Sequence, residues 1–226
     1  MIPDLLASFA PMLLGAQLIL TLILVKGDIC PGQRGRIHKV LPAIAILWLA
    51  VASLRIEAMM VVFAIGYFYS QVQTKKTRVQ GPLWVMYLAN GLALAYVGIM
   101  VTEQSSFAAG LSVLVQVVLL GGLFAHLLLT VAKTRLQAFH RILPVAGVAS
   151  AMMMSITVLL KASSLDEQTL TMATQPLLVS FALLISAVVV WSWHMLLSKS
   201  ITKPQLAVAL VMLLGAVTVN QGLFVL

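Results

Sequence analysis

The side chains with the most versatile chemistry in this 226-residue sequence are its four histidines. Two of them, His126 and His194, lie near the basic ends of long apolar stretches. Two imidazoles that face each other across neighbouring helices can ligate a haem iron or a soft metal, and single imidazoles relay protons. Alternatively, the rings form hydrogen bonds between helices or contact lipid headgroups, as is typical of a histidine beside interfacial tryptophans such as Trp191 and Trp193.

The other two histidines begin nearly identical segments, "HKVLP" from His38 and "HRILP" from His140. Each segment precedes an apolar run, and proline suits the first turn of a helix because the N–H that it lacks is not needed there. The basic pairs His38–Lys39 and His140–Arg141 could bind an anion or an anionic lipid headgroup beside a helix N-terminus. Part of this similarity reflects the composition common to helix starts at a membrane surface. The rest predicts that the two segments occupy equivalent positions in an internal repeat.

Polar side chains within apolar stretches are the default candidates for ligand binding in a membrane protein. The deepest are Gln17, Asn90, Gln116 and His126. They would form a substrate site if their helices converge, and otherwise they would form hydrogen bonds between helices. No carboxylate lies in the middle of an apolar stretch, which disfavours a proton or sodium antiporter.

Catalytic motifs are absent from the sequence. It contains no Gly-x-Ser-x-Gly, no His-Glu-x-x-His and no glycine-rich phosphate loop. The single cysteine, Cys30, excludes an internal disulfide and a multi-cysteine metal site. The sequence therefore favours a role other than catalysis.

The composition is that of an integral membrane protein. Hydrophobic residues make up 62% of the chain and charged residues only 9%, with a mean hydropathy of +1.08, whereas soluble domains carry roughly 25% charged residues. The net charge of +8 comes from basic residues in short gaps between apolar runs. Such gaps carry topology signals rather than nucleic-acid contacts. We expect one all-α transmembrane domain over residues 1–226, in contact with the lipid bilayer.

Apolar runs of about 20 residues mark membrane-spanning helices. Six such runs are clear, at 5–25, 82–101, 108–132, 142–160, 175–197 and 205–226. The stretch 40–72 could be one long helix, or a hairpin of two short helices at 40–54 and 58–72. Before the run at 175–197, "SSLDEQ" has the pattern of a helix N-cap and predicts a short surface helix.

The distribution of lysine and arginine favours the hairpin. With eight spans, all 14 basic residues except Arg55 and Lys161 fall on one side of the membrane. With one long helix, the basic residues divide between the two sides and Arg55 lies within the bilayer. Basic loops face the cytoplasm, so we expect eight helices in an inner membrane, with both termini on the non-cytoplasmic side.

An even number of spans permits two parallel four-helix halves, at 1–101 and 108–226, which agrees with the repeated segments. The leading hypothesis is an inner-membrane protein that binds or transports a small or lipid-like molecule between these halves. One alternative is a haem- or metal-binding redox protein that uses His126 and His194. Another is a non-catalytic subunit or assembly factor, whose apolar surface would contact a membrane-protein partner or a second copy. None of these roles involves nucleic acid.

Overall fold

The computed structural model describes residues 2–74, 80–134, 137–197 and 200–225, and every regular element in them is helical. This confirms the predicted all-α fold. A single 3-10 turn occupies Ile56–Ala58. The α-helices are α1 (Ile2–Lys26), α2 (Pro31–His38), α3 (Leu41–Ala52), α4 (Met59–Thr74), α5 (Leu83–Thr102), α6 (Phe107–Val131), α7 (Gln137–Ala162), α8 (Glu167–Leu196) and α9 (Lys203–Val225).

Within the described residues, seven helical segments are long and apolar enough to cross a membrane, with α2 and α3 forming one segment from Pro31 to Ala52. A further helix, α4, packs between α3 and α5, and its described part has 16 residues. At 1.5 Å per residue it is about 24 Å long, short of the roughly 30 Å hydrocarbon core. The predicted hairpin in 40–72 is therefore confirmed, and it turns at Ser53–Arg55.

The starts of the second span and of α8 differ in part from the predicted ones. Helix α3 begins at Leu41 with Pro42 in its first turn, as predicted. The span itself begins earlier, because α2 precedes α3 and has Pro31 in its own first turn. The segment "SSLDEQ" does contain a cap, since the Asp166 carboxylate accepts a hydrogen bond from Thr169 N at 3.1 Å. However, this cap starts the 30-residue helix α8 rather than a separate surface helix.

The helices pack as two rings of four. In the first ring α1 contacts α3, α3 contacts α4, α4 contacts α5, and α5 returns to α1. In the second ring α6, α7, α8 and α9 follow the same order, and α9 returns to α6. The rings meet mainly along α1 and α6, with smaller contacts of α5 with α6 and of α1 with α9.

Close backbone contact between α1 and α6 depends on two glycines. A Cβ atom added to Gly15 would collide with Val117 O, and one added to Gly121 would lie 2.5 Å from the Cα of Gly15. Small residues allow membrane helices to approach closely and to gain dispersion contacts that larger side chains would prevent. These glycines therefore hold the two rings together at their centre.

One end of the bundle, here called the terminal face, carries both described chain ends and the turns before α4 and α6. Ser105 Oγ donates to Phe224 O at 3.3 Å. Arg55 Nη2 lies 2.6 Å from Glu103 Oε2, which ties the α3–α4 turn to the end of α5. The hydrogen bond that Arg55 donates to the Glu103 carboxylate raises the pKa of the Arg55 guanidinium.

Candidate functional site

Three of the four histidines meet at the end of the second ring that lies opposite the terminal face. His126 comes from α6, His140 from α7, and His194 together with Trp191 from α8. The ring centroid of His126 is 5.0 Å from that of His140 and 5.8 Å from that of His194. We call His126, His140, Trp191 and His194 the histidine cluster. His126 and His194 therefore lie in contact, and His140 joins them.

The indole of Trp191 determines which nitrogen of His126 carries hydrogen. Trp191 Nε1 donates to His126 Nδ1 at 2.9 Å, and an indole N–H can only donate. His126 Nδ1 is therefore unprotonated, and its Nε2 carries the hydrogen. This Nε2 lies 2.8 Å from His140 Nδ1, so His126 donates to His140.

His194 lies between two backbone carbonyls. Its Nδ1 is 3.0 Å from Trp191 O, and its Nε2 is 3.1 Å from His140 O. The second contact joins α8 to α7. A carbonyl oxygen can only accept hydrogen bonds, so both contacts favour N–H groups on His194.

Pro144 explains why the carbonyl of His140 is available. It lies inside α7 rather than in the first turn, contrary to the prediction, because the described helix already starts at Gln137. A proline inside a helix has no N–H to donate to the carbonyl four residues earlier. For Pro144 that carbonyl belongs to His140, and it accepts from His194 instead.

Packing around Trp191 fixes the position of the cluster. Trp191 is fully buried, whereas Trp193 is 49% exposed. The prediction that both tryptophans lie at the membrane interface is therefore wrong for Trp191, because its ring packs against Gly147 of α7. A Cβ atom on Gly147 would collide with the indole. His194 is also buried rather than open to lipid headgroups.

The ring nitrogens of His126 and His194 do not fit a haem iron or a metal in this arrangement. Both nitrogens of His126 are hydrogen-bonded, and both nitrogens of His194 face carbonyl oxygens. Among the described residues, no group of three or more metal-ligating side chains has a suitable geometry. Ligation would require these rings to exchange their present partners, so the redox hypothesis gains no support from the cluster.

The residues predicted to bind a lipid headgroup differ in their exposure. Lys39 and Arg141 are exposed, and His140 is partly buried in the cluster. His38 was expected at the surface, but it is fully buried. Helix α2 carries it inward, where its ring lies edge-on to Phe68 at a centroid distance of 5.5 Å.

The deep amides do not converge with His126 on one site. Gln17 is fully buried in the first ring, and its Oε1 accepts from Trp48 Nε1 at 3.2 Å. Asn90 is buried on α5. Gln116 lies elsewhere, on α6, where it lines a cavity near the terminal face.

This cavity, here called the interface cavity, has a volume of about 360 Å³ and lies where the two rings meet. Helices α1 and α5 of the first ring and α6 and α9 of the second contribute to it. Its lining residues are Asp4, Ala7, Pro11, Met100, Glu103, Gln104, Ser105, Ser112, Val113, Gln116, Gln221 and Phe224. Apolar side chains alternate there with amide, hydroxyl and carboxylate groups, as in pockets that bind small molecules.

Sequence reasoning missed two contributors to these sites. His140 was assigned to the membrane surface, although the four-residue spacing to Pro144 is a visible signal that its carbonyl lacks a helical partner. Ser112 of the interface cavity has no such signal, because serine is common in apolar helices and its hydroxyl donates to Ala109 O at 2.7 Å.

Comparison with known proteins agrees with this architecture. A family model described as an integral membrane domain matches residues 2–218. An uncharacterized protein of Haemophilus influenzae is 32% identical over 141 residues, which are 58% of this chain and 53% of that protein. The chain thus spans about half the length of this curated relative. No solved structure gives a significant match. Because the family model covers nearly the whole chain, this multi-pass membrane protein belongs to that family of integral membrane domains.

Proposed function

We propose that the protein binds a small molecule in the interface cavity and carries it across the inner membrane between its two four-helix rings. The observation that carries this proposal is the position of Gln116. Its side chain is only 3% exposed, lines the cavity and makes no hydrogen bond to another described residue. An amide that faces a cavity can both donate and accept hydrogen bonds, and a ligand with hydrogen-bonding groups would provide partners for it.

The depth of Gln116 suits a binding site reached from the terminal face. It lies nine residues into α6, so the helix carries it about 14 Å from the start at Phe107. Ser112 lies one turn closer to the terminal face and also lines the cavity. A molecule that enters there would pass a hydroxyl before it reaches the amide.

The charges at the cavity entrance favour recognition by hydrogen bonds rather than by net charge. Two carboxylates, Asp4 and Glu103, line the cavity. The ion pair with Arg55 offsets the negative charge of Glu103. We therefore infer a neutral or zwitterionic ligand with an apolar part, which Pro11, Met100 and Val113 would contact.

The packing order of the rings supports transport between two halves. In the order of the two rings, α1 corresponds to α6 and α5 corresponds to α9. When each helix is replaced by its counterpart, the α1–α6 contact stays the same and the α5–α6 contact becomes the α9–α1 contact, which is also present. This is the pattern of a parallel repeat about an axis along the membrane normal, and parallel halves of transporters can rock about a site at their interface. The repeated "HKVLP" and "HRILP" segments support the same relation between the halves.

Ligand-dependent thermal stabilisation of the purified protein in lipid nanodiscs tests the proposal. The panel would contain neutral amino acids, monosaccharides, nucleobases and short polyols. We expect at least one class to stabilise the protein, and Gln116→Leu to weaken its binding at least tenfold, which corresponds to about 1.4 kcal/mol. Uptake of that ligand into proteoliposomes would then test transport.

Gln168→Leu is the matched control, because Gln168 is exposed in the first turn of α8 and does not line the cavity. Equal binding by the two variants would contradict a site at Gln116. Stabilisation by no compound in any of the four classes would contradict the proposed ligand chemistry.

A further inference from the structure

We propose that the histidine cluster is a proton-binding site in which His194 holds the proton as an imidazolium ion that links α8 to α7. The inference rests on which groups in the cluster can donate and which can accept hydrogen bonds. It does not depend on the interface cavity, which lies toward the other end of the bundle.

His126 is fixed in its neutral form. The N–H of Trp191 points at His126 Nδ1 from 2.9 Å, so a hydrogen on that nitrogen would face another hydrogen. His126 is also fully buried among helices, where an ion without a partner is strongly disfavoured. The proton therefore does not reside on this ring.

His140 is fixed in its neutral form by the same reasoning, one step further along the chain of hydrogen bonds. Because His126 Nδ1 accepts, His126 Nε2 must donate, and its acceptor at 2.8 Å is His140 Nδ1. A hydrogen on that nitrogen would again place two N–H groups against each other. His140 therefore carries its single ring hydrogen on Nε2.

His194 differs because both of its ring nitrogens face acceptors. Trp191 O lies 3.0 Å from Nδ1, and His140 O lies 3.1 Å from Nε2. Only the doubly protonated ring can donate to both carbonyls. His194 also lies in the last turn of α8, where the helix dipole favours a positive charge.

The charged and titratable groups around His194 do not supply a competing proton acceptor. Among the described residues, His126 approaches from α6 and His140 from α7, and both have their Nδ1 occupied as an acceptor. From α9, the neutral amide of Gln205 donates to Val190 O at 2.7 Å. The imidazolium is thus stabilised by carbonyl dipoles rather than by a carboxylate.

Loss of the proton would break the link between the helices. A neutral His194 must present a bare nitrogen to one of the two carbonyl oxygens, and two lone pairs repel. The contact with Trp191 O lies within α8, whereas the contact with His140 O crosses to α7. If the neutral His194 ring keeps its hydrogen on Nδ1, it retains the contact with Trp191 O and loses the one with His140 O. Deprotonation of His194 in this way therefore removes its link to α7 at this end of the bundle.

Nitrogen-15 NMR of histidine-labelled protein in lipid bilayers tests the proposal, because it separates imidazolium from the two neutral tautomers. We expect an imidazolium signal that His194→Gln removes. We also expect two rings with hydrogen on Nε2 alone, from His126 and His140. An imidazolium signal that persists in His194→Gln, or its absence from the unmodified protein, would overturn the proposal.

A proline pair supplies a second test that keeps His194 in place. Pro144→Ala restores a backbone N–H that competes for the His140 carbonyl, so the imidazolium signal should be weaker than in the unmodified protein under the same conditions. Pro42→Ala is the matched control, because it changes the corresponding proline of "HKVLP" in the first ring. Equal imidazolium signals in the two variants would overturn the role assigned to the His140 carbonyl.

Discussion

Trp191 is the residue on which the hydrogen-bond pattern of the histidine cluster depends. Its indole can only donate, so it selects one tautomer of His126, and His126 in turn selects one tautomer of His140. The ring is fully buried between Gly147 and the cluster. A change of this single N–H should therefore alter the protonation pattern of its neighbours.

Replacing Trp191 with phenylalanine removes the donor to His126 Nδ1 and leaves a buried acceptor without its partner. We expect the free energy of unfolding to fall by about 1 kcal/mol, since polar contacts between membrane helices are worth roughly 0.6–2 kcal/mol. Unfolding in mixed detergent micelles would measure the change. Trp193→Phe is the control, because Trp193 is 49% exposed; an equal loss in both variants would contradict the role of the hydrogen bond.

Asp166 should make the stability of the folded protein depend on pH, because its carboxylate caps the start of α8. Hydrogen bonds from the Thr169 side chain and backbone lower the pKa of its carboxyl group in the folded protein. The stabilisation is therefore present above the unfolded pKa of about 3.9 and is lost as the pH falls through the folded pKa.

Asp166→Ala should lower stability at neutral pH, and the difference from the unmodified protein should shrink under acid conditions. Thermal unfolding at a series of pH values would measure it. Asp166→Asn keeps an N-cap acceptor but has no carboxyl group to titrate. A constant difference between Asp166→Ala and the unmodified protein across the acid range would show that this carboxylate does not contribute.

At the scale of the element, α7 provides two features that the cluster needs. Pro144 leaves the carbonyl of His140 without a helical partner, and Gly147 leaves room for the indole of Trp191. The two positions are three residues apart and so lie on the same side of the helix. This part of α7 therefore acts as the surface against which α8 is positioned.

Gly147→Ala should displace the Trp191 ring, because the added methyl group would overlap the indole. Overpacking of a well-packed interior costs about 1–3 kcal/mol, and the Trp191–His126 hydrogen bond should weaken with it. Gly122→Ala is a matched control, since its Cβ would lie 3.5 Å from the same ring, an ordinary contact distance. Detergent unfolding and histidine NMR would compare the two; equal behaviour would contradict the close packing at Gly147.

At the scale of the whole molecule, the two rings place the interface cavity and the histidine cluster toward opposite ends. The cavity lies between the rings near the terminal face, whereas the cluster lies within the second ring. The basic residues predict that the terminal face is non-cytoplasmic and that the cluster end is cytoplasmic. Under the two proposals, the orientation decides which compartment would supply the ligand and which would supply the proton.

The single cysteine makes this orientation testable. Cys30 is exposed between α1 and α2, at the end opposite the terminal face. We expect a membrane-impermeant maleimide to label it only after the inner membrane is opened. In a Cys30→Ser background, Ser164→Cys should be labelled in intact spheroplasts, because Ser164 is exposed between α7 and α8. The reverse labelling pattern would contradict the predicted topology.

The class of structure and most of its helices could be predicted from the amino-acid sequence. Long apolar runs must form helices in a bilayer, because only internal hydrogen bonds can satisfy the backbone there. The basic residues favoured the hairpin in 40–72, since any other arrangement places them on the wrong side. The exact helix starts were less predictable: α2 and the first two turns of α8 contain polar residues that hydropathy assigns to loops.

Which polar residues meet could not be predicted from the sequence, because it depends on how the helices pack. Sequence position gives the depth of a side chain but not the direction in which its helix presents it, and apolar residues surround these helices on every side. His140 and His38 begin matching segments, yet one joins two histidines whereas the other packs against Phe68. Gln116 and Gln17 look equivalent in the sequence, but packing gives Gln17 a tryptophan partner and leaves Gln116 facing a cavity. The difference arises because the neighbours of each residue come from helices distant in the chain.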